Sequence, residues 1–197
     1  MDFILEIPNH LPKELCEEMI KLFENDSNKK PGVTGPPGKH MVSSVKKSMD
    51  LTIPDTNKWN NVSKCLYDKI EDGIKKYMDH LREKGCSSID YHLQEYFDYG
   101  YQIKKTTTGE YYSWHSDGLL QQKRFLVFIW YLNDLHPIYD GGGTAFHPTI
   151  GCGKVVTPDQ GKLLIFPATW TYFHTGLPIV SNKSKYICTV WICDRKD

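Results

Sequence analysis

The sequence predicts a mainly β, α+β fold: an antiparallel sandwich or barrel with two N-terminal helices packed on one outer face. Three observations carry this. Two stretches in the N-terminal half repeat apolar residues every three or four positions. The remainder breaks into short strand-like runs between turn signals such as Asp140-Gly141-Gly142-Gly143 and Thr157-Pro158-Asp159-Gln160-Gly161. Residues 125–132 are apolar without interruption, which suits a strand covered on both faces.

In order, residues 3–7 read as a short strand ended by Pro8-Asn9. A first helix follows, with Pro12 in its first turn and Leu15, Met19, Leu22 and Phe23 at helical spacing, and Asn25-Asp26-Ser27-Asn28 ends it. Residues 29–50, rich in Gly, Pro and Lys, read as one long irregular segment, either a surface loop or a mobile lid. A second amphipathic helix is predicted over 56–83 from Trp59, Val62, Leu66, Ile70, Ile74, Tyr77 and Leu81, with Gly73 tolerated at modest cost and Lys84-Gly85 as the stop. Strands are expected at 91–97, 100–106, 110–117, 124–132, 143–147, 154–157, 161–166, 170–174 and 185–192.

Composition limits the function classes. The chain has 197 residues, 40% hydrophobic and 24% charged, and a formal net charge of zero. That balance leaves no electrostatic footprint for nucleic acid or an anionic membrane, so neither is an expected partner. Met1-Asp2-Phe3-Ile4-Leu5-Glu6 has no basic start, and no apolar run reaches membrane-spanning length, so a cytoplasmic location is expected. The six cysteines form no Cys-x-x-Cys pair and read as reduced thiols, several of them buried.

The chemistry centres on His115-x-Asp117. On an extended strand these side chains share a face and converge on one point. Iron(II) with open coordination positions prefers two imidazoles and one carboxylate. His174, at the end of a strand-like run, is the best third ligand. Lys185 opens a later strand on which Ile187, Thr189 and Trp191 share its face. A buried lysine there requires an anion. Thr189, and Tyr131 at the end of the apolar strand, are placed to hydrogen-bond the same anion.

These residues, with Gly109-x-Tyr111-Tyr112-x-Trp114-His115-x-Asp117, Gly142-Gly143-x-x-x-Phe146, Pro158-x-x-Gly161-x-Leu163-x-x-Phe166 and His174-x-x-x-Pro178, resemble the iron(II)/2-oxoglutarate-dependent dioxygenases. Within them the chain looks like the prolyl 4-hydroxylase branch, over roughly residues 90–193. The resemblance implies a double-stranded β-helix, or jelly roll. The whole chain, 1–197, would be one domain: 1–90 the N-terminal strand, helices and loop, and 91–197 the jelly-roll core. It also implies Fe(II) at His115, Asp117 and His174, and 2-oxoglutarate held by Lys185 with Tyr131 and Thr189. O2 would be consumed, ascorbate is a further expected requirement, and a peptide or protein would be the substrate. Two departures stand out: Thr106 replaces a tyrosine many relatives carry, and the spacing leaves Lys183 as a rival to Lys185.

Other residues read more plainly. His136 and His147 are expected in turns, Trp114 and Trp130 in the core, and Lys104-Lys105 as solvated charge. Competing functions are the same chemistry on a nucleobase or free amino acid, and a non-catalytic jelly-roll metal-binding module.

Overall fold

The computed structural model describes residues 3–35, 44–86, 95–118 and 123–194. β1 (Leu5–Ile7) leads into α1 (Lys13–Glu24), β2 (Lys30–Pro31), β3 (Met49–Thr52) and α2 (Asn60–Glu83). Then come β4 (Tyr96–Asp98), β5 (Gln102–Thr106), β6 (Tyr112–His115), β7 (Arg124–Tyr131), β8 (Thr144–Phe146), β9 (Val155–Val156), β10 (Leu163–Pro167), β11 (His174–Gly176) and β12 (Lys185–Asp194).

The described strands form two sheets. The larger runs β1-β10-β7-β12-β5-β3-β2, with β4 also paired to β12, and the smaller runs β6-β11-β8-β9. Every strand pair in them is antiparallel. This is the jelly-roll layering expected of the sequence: two facing sheets, each burying one face against the other.

Alternation along the central strands serves two cores at once. From β7, Leu126, Phe128 and Trp130 join Cys16, Met19 and Phe23 of α1 and Leu66, Ile70 and Tyr77 of α2 in one cluster. The intervening Val127, Ile129 and Tyr131 pack with Phe146, Leu164 and Phe166 between the sheets. The uninterrupted apolar run of β7 therefore reflects burial on both faces. Gly73 does more than fill a helical position, because a Cβ there would meet the Phe128 ring at 2.8 Å. Its absence lets α2 lie close on the large sheet. His10 fastens the same layer: its Nδ1 accepts from Trp130 Nε1 at 3.0 Å and its Nε2 lies 3.0 Å from Asp72 of α2.

Several expectations need correction. β2 and the first two residues of β3, Met49 and Asp50, fall inside the predicted irregular segment 29–50, and β3 pairs with β5 through Leu51, opposite Ile103. A single alternating turn of strand between polar runs left little signal. α2 begins at Asn60, because residues before it close in turns, with Trp59 N–H donating to Thr56. Within 170–174, residues Trp170–Tyr172 form a 3₁₀ turn and the strand starts at His174. β6 ends at His115, so Asp117 lies beyond the strand. The first four residues of the expected 91–97 strand, and 36–43 of the irregular segment, lie outside the described residues. Trp130 is fully buried, whereas Trp114 is exposed at the surface, stacked on Phe173. All six cysteines are free; Cys16, Cys188 and Cys193 are buried and Cys152 is exposed. Among the described residues no helix is long and apolar enough to cross a membrane.

Candidate metal centre and cosubstrate cavity

Antiparallel pairing of β11 with β6 sets His174 directly against His115. Their ring centroids are 4.2 Å apart. The chain leaving β6 then returns Asp117 to the pair, with Oδ2 3.3 Å from His174 Nε2. One ligand atom from each of His115, Asp117 and His174 lies within 4.8 Å of the others. The three residues converge as expected, although the route differs: the carboxylate arrives through the turn after the strand.

Backbone carbonyls orient both rings. His115 Nδ1 lies 2.8 Å from Ser113 O, and His174 Nδ1 lies 2.9 Å from Tyr172 O. A carbonyl can only accept, so each Nδ1 carries the proton and each Nε2 keeps its lone pair toward the centre. The lone pair of His174 Nε2 then meets a carboxylate oxygen. That arrangement is repulsive unless a cation joins it, and a metal ion satisfies all three donors at once. Burial, reinforced by the neighbouring His174, lowers His115 to about 3, so it remains a neutral donor. Burial works to raise the Asp117 carboxyl, but its cationic surroundings, Lys104 among them, hold it well below the usual carboxylate range. Arg124 steadies the same residue, its Nη1 donating to Asp117 O at 3.4 Å.

The triad opens on a cavity of about 70 Å³. Lys185, Thr189, Thr144 and Ile129 also line it. Lys185 is 5% exposed, and burial alone lowers its ammonium to about 8. Among the described residues its Nζ has no hydrogen bond or ion pair, and it lies 5.8 Å from the centroid of the Tyr131 ring. Such a group fits an anionic ligand. Lys183 is instead exposed and engaged with Asp140 at 2.7 Å. Thr189 lines the cavity, with its hydroxyl 3.5 Å from Gln102 O. The Tyr131 hydroxyl donates to Thr144 Oγ1 at 2.7 Å, so Tyr131 meets the cavity through Thr144. Thr144 was not anticipated; its place opposite Gly176 on β11 was not visible without the sheet register.

A second cavity of about 530 Å³ adjoins the first. Tyr112, Lys104, Asp117, Trp191 and Lys46 line both. Lys104 is only 9% exposed, which overturns its expected solvation. It lies on the face of β5 opposite the buried Ile103, and paired with Ile187. Alternation along β5 was the signal for it. Lys105 follows the expectation more nearly, bonding Glu24 at 2.8 Å near the surface. His136 and His147 sit in turns, their Nδ1 atoms accepting from backbone N–H groups at Ile138 and Thr149.

Residues 101–193 match the family described as the 2OG-Fe(II) oxygenase superfamily. No curated protein matches the chain by sequence search. Among solved structures, a viral collagen prolyl hydroxylase from Paramecium Bursaria Chlorella virus-1, in a 2OG complex, aligns with a TM-score of 0.68 at 17% identity, covering 97% of this chain and 96% of that one. A prolyl hydroxylase from Trichoplax adhaerens, in complex with a hypoxia inducible factor peptide fragment, aligns with a TM-score of 0.74 at 18% identity, covering 98% and 84%. A Pseudomonas putida prolyl-4-hydroxylase aligns with a TM-score of 0.66 at 15% identity, covering 100% and 95%. At these identities the likeness concerns the fold.

Proposed function

Residues 101–193 belong to the 2OG-Fe(II) oxygenase superfamily, and from that premise we propose that the chain hydroxylates a prolyl residue of a peptide or protein. His115, Asp117 and His174 hold Fe(II), and Lys185 pairs with the far carboxylate of 2-oxoglutarate. The observation that carries this reading is the convergence of the three ligand atoms on a cavity also lined by a buried lysine that has no acceptor among the described residues.

When bound, iron supplies the oxidising chemistry that couples O2 and 2-oxoglutarate to insertion of oxygen into a C–H bond, with succinate and carbon dioxide as co-products. The chain's own residues do the rest. Ser113 O and Tyr172 O fix the imidazole tautomers, so both Nε2 atoms are ready donors. Arg124 anchors the backbone and carboxylate of Asp117. Lys185 neutralises the cosubstrate's distal charge, and the Thr189 and Thr144 hydroxyls lie beside it as hydrogen-bonding groups. Apolar Ile129, Ile187 and Leu177 exclude water from the same cavity. Ascorbate belongs to this reading as a reductant, and the cytoplasm as the location. The structural likeness to prolyl hydroxylases, two of them solved with a 2OG or peptide ligand, supports the peptide substrate.

Incubation of proline-containing peptides with the protein, Fe(II), 2-oxoglutarate and O2 tests it. The expected result is succinate formation with a one-oxygen mass gain at proline. Oxygen gain on nucleosides or free amino acids, with peptides untouched, overturns the peptide assignment.

A further inference from the structure

Of the buried lysines that line the site among the described residues, Lys46 is held by Asp50, which leaves two, and the cosubstrate accounts for one. Lys104 is the other. Its Nζ has no hydrogen bond or ion pair among the described residues and lies 4.7 Å from the centroid of the Trp191 ring. A buried ammonium resting on an aromatic face alone is under-satisfied, and an incoming anion corrects this. Nearby carboxylates are already taken. Asp50 receives Lys46 Nζ and the Ser48 hydroxyl. Asp117 faces His174 and Arg124.

Lys104 and Lys185 line the same inner cavity, but their ammonium groups lie toward different aromatic rings, Trp191 and Tyr131. On β12, Lys185 and Trp191 lie on one face six residues apart, and Lys104 reaches the Trp191 end. It lines the larger cavity together with Lys30, Arg124, Lys46, Asp50 and Asp117. Lys46 and Asp50 cancel each other, and Asp117 is committed to the triad. Lys30 and Lys104 remain, beside an Arg124 that shares its charge with Asp117, and together they make a cationic wall in a chain of zero net charge. Such a wall raises the local concentration of anions. Arg124 also lies over Trp191, with Cζ 4.0 Å from the ring centroid, so two cations share one aromatic surface.

We propose that Lys104 receives a carboxylate of the substrate, so that the molecule hydroxylated here carries an acidic group near the reacting carbon. The proposal rests on the hydroxylase reading above. The carboxylate comes either from an Asp or Glu side chain flanking the target residue in a peptide, or from the free carboxylate of an amino acid. Both present the same chemistry to Lys104.

Anaerobic calorimetry on the Fe(II)- and 2-oxoglutarate-loaded protein tests this without turnover. The probes are short peptides with proline flanked by Asp or Glu, their Asn or Gln counterparts, and free L-proline, L-aspartate and L-glutamate. At least tenfold tighter binding of acidic peptides over their amides assigns the peptide source, and tight binding of the free acids alone assigns the other. Lys104→Met should abolish the preference and Lys104→Arg should retain it. Equal binding of acids and amides by the wild type, or binding of none of the probes, overturns the proposal. So does a Lys104→Met protein that keeps the preference but needs more 2-oxoglutarate, since that places Lys104 on the cosubstrate. Mass spectrometry of the same mixtures in air separates the two readings. Acid-selective binding with no oxygen gain defeats the hydroxylase reading alone, and equal oxygen gain on acids and amides defeats the carboxylate receptor alone.

Discussion

His115 and His174 are register partners on adjacent antiparallel strands, and each ring nitrogen remote from the centre is tied to a backbone carbonyl two residues earlier. Strand pairing and these carbonyls thus position the two imidazoles, with the Tyr112 ring stacked 3.5 Å from that of His115. A change to either ligand should leave the sheet intact while removing the metal.

His174→Ala is therefore expected to fold with unchanged circular dichroism and to lose Fe(II) retention. The loss should exceed the roughly 10–100-fold typical when only an outer partner of a ligand is removed. Metal content after gel filtration, and succinate formation, check it.

Lys185→Met should raise the 2-oxoglutarate KM by about 10- to 100-fold, the worth of a charged hydrogen bond. The pH dependence has a definite sign. In the free protein burial holds Lys185 near 8. Below that pH the ammonium is present before and after binding, and the Kd for 2-oxoglutarate is flat. Above it, binding must take up a proton, so the Kd rises with pH by at most tenfold per unit. Calorimetry between pH 7 and 9.5 should show the slope in the wild type and lose it in Lys185→Met.

His10 gives the fold an acid-sensitive point. Burial lowers it from 6.5 to about 4 in the folded protein. Between those values the unfolded chain binds the extra proton, so stability falls as pH falls through the window and is fully present above 6.5. The effect is at most about 3 kcal/mol. Urea unfolding at pH 7 and pH 4.5 should show a larger loss in the wild type than in His10→Gln.

Gly73→Ala improves helix propensity on paper. Here the new methyl meets Phe128 and Leu163, so the substitution should destabilise by about 1–3 kcal/mol, as overpacking does. A lower Tm with unchanged metal affinity is the expected outcome.

Much of this was legible in the chain. Period-3.6 spacing marks α1 and α2, and the apolar β7 announces a doubly covered strand. His115, Asp117, His174 and Lys185 are few enough, and placed closely enough to strands, to be picked out. What depends on register was not legible. Thr144 reaches the cavity because β8 pairs with β11, and β3 exists because Leu51 finds Ile103. Lys104 looks like solvated charge beside Lys105, yet alternation puts the two on opposite faces: one over Trp191, the other at the Glu24 carboxylate. Asp117 shows the converse. Its convergence with His115 was right while the strand geometry offered for it was not.

β12 carries Lys185, Ile187, Thr189 and Trp191 toward the cavity and Cys188, Val190 and Ile192 toward the helices. Its coding is consequently a reading frame in the spatial sense. Point changes on it act locally, on ligand affinity or on packing. Deletion of a single residue between Lys185 and Trp191 would exchange the two faces along part of the strand, sending ammonium and hydroxyl into the greasy layer and thiol and valine into the cavity. Natural variants of this segment should accordingly differ by replacement and keep their length, even where the connection at 136–143 grows or shrinks.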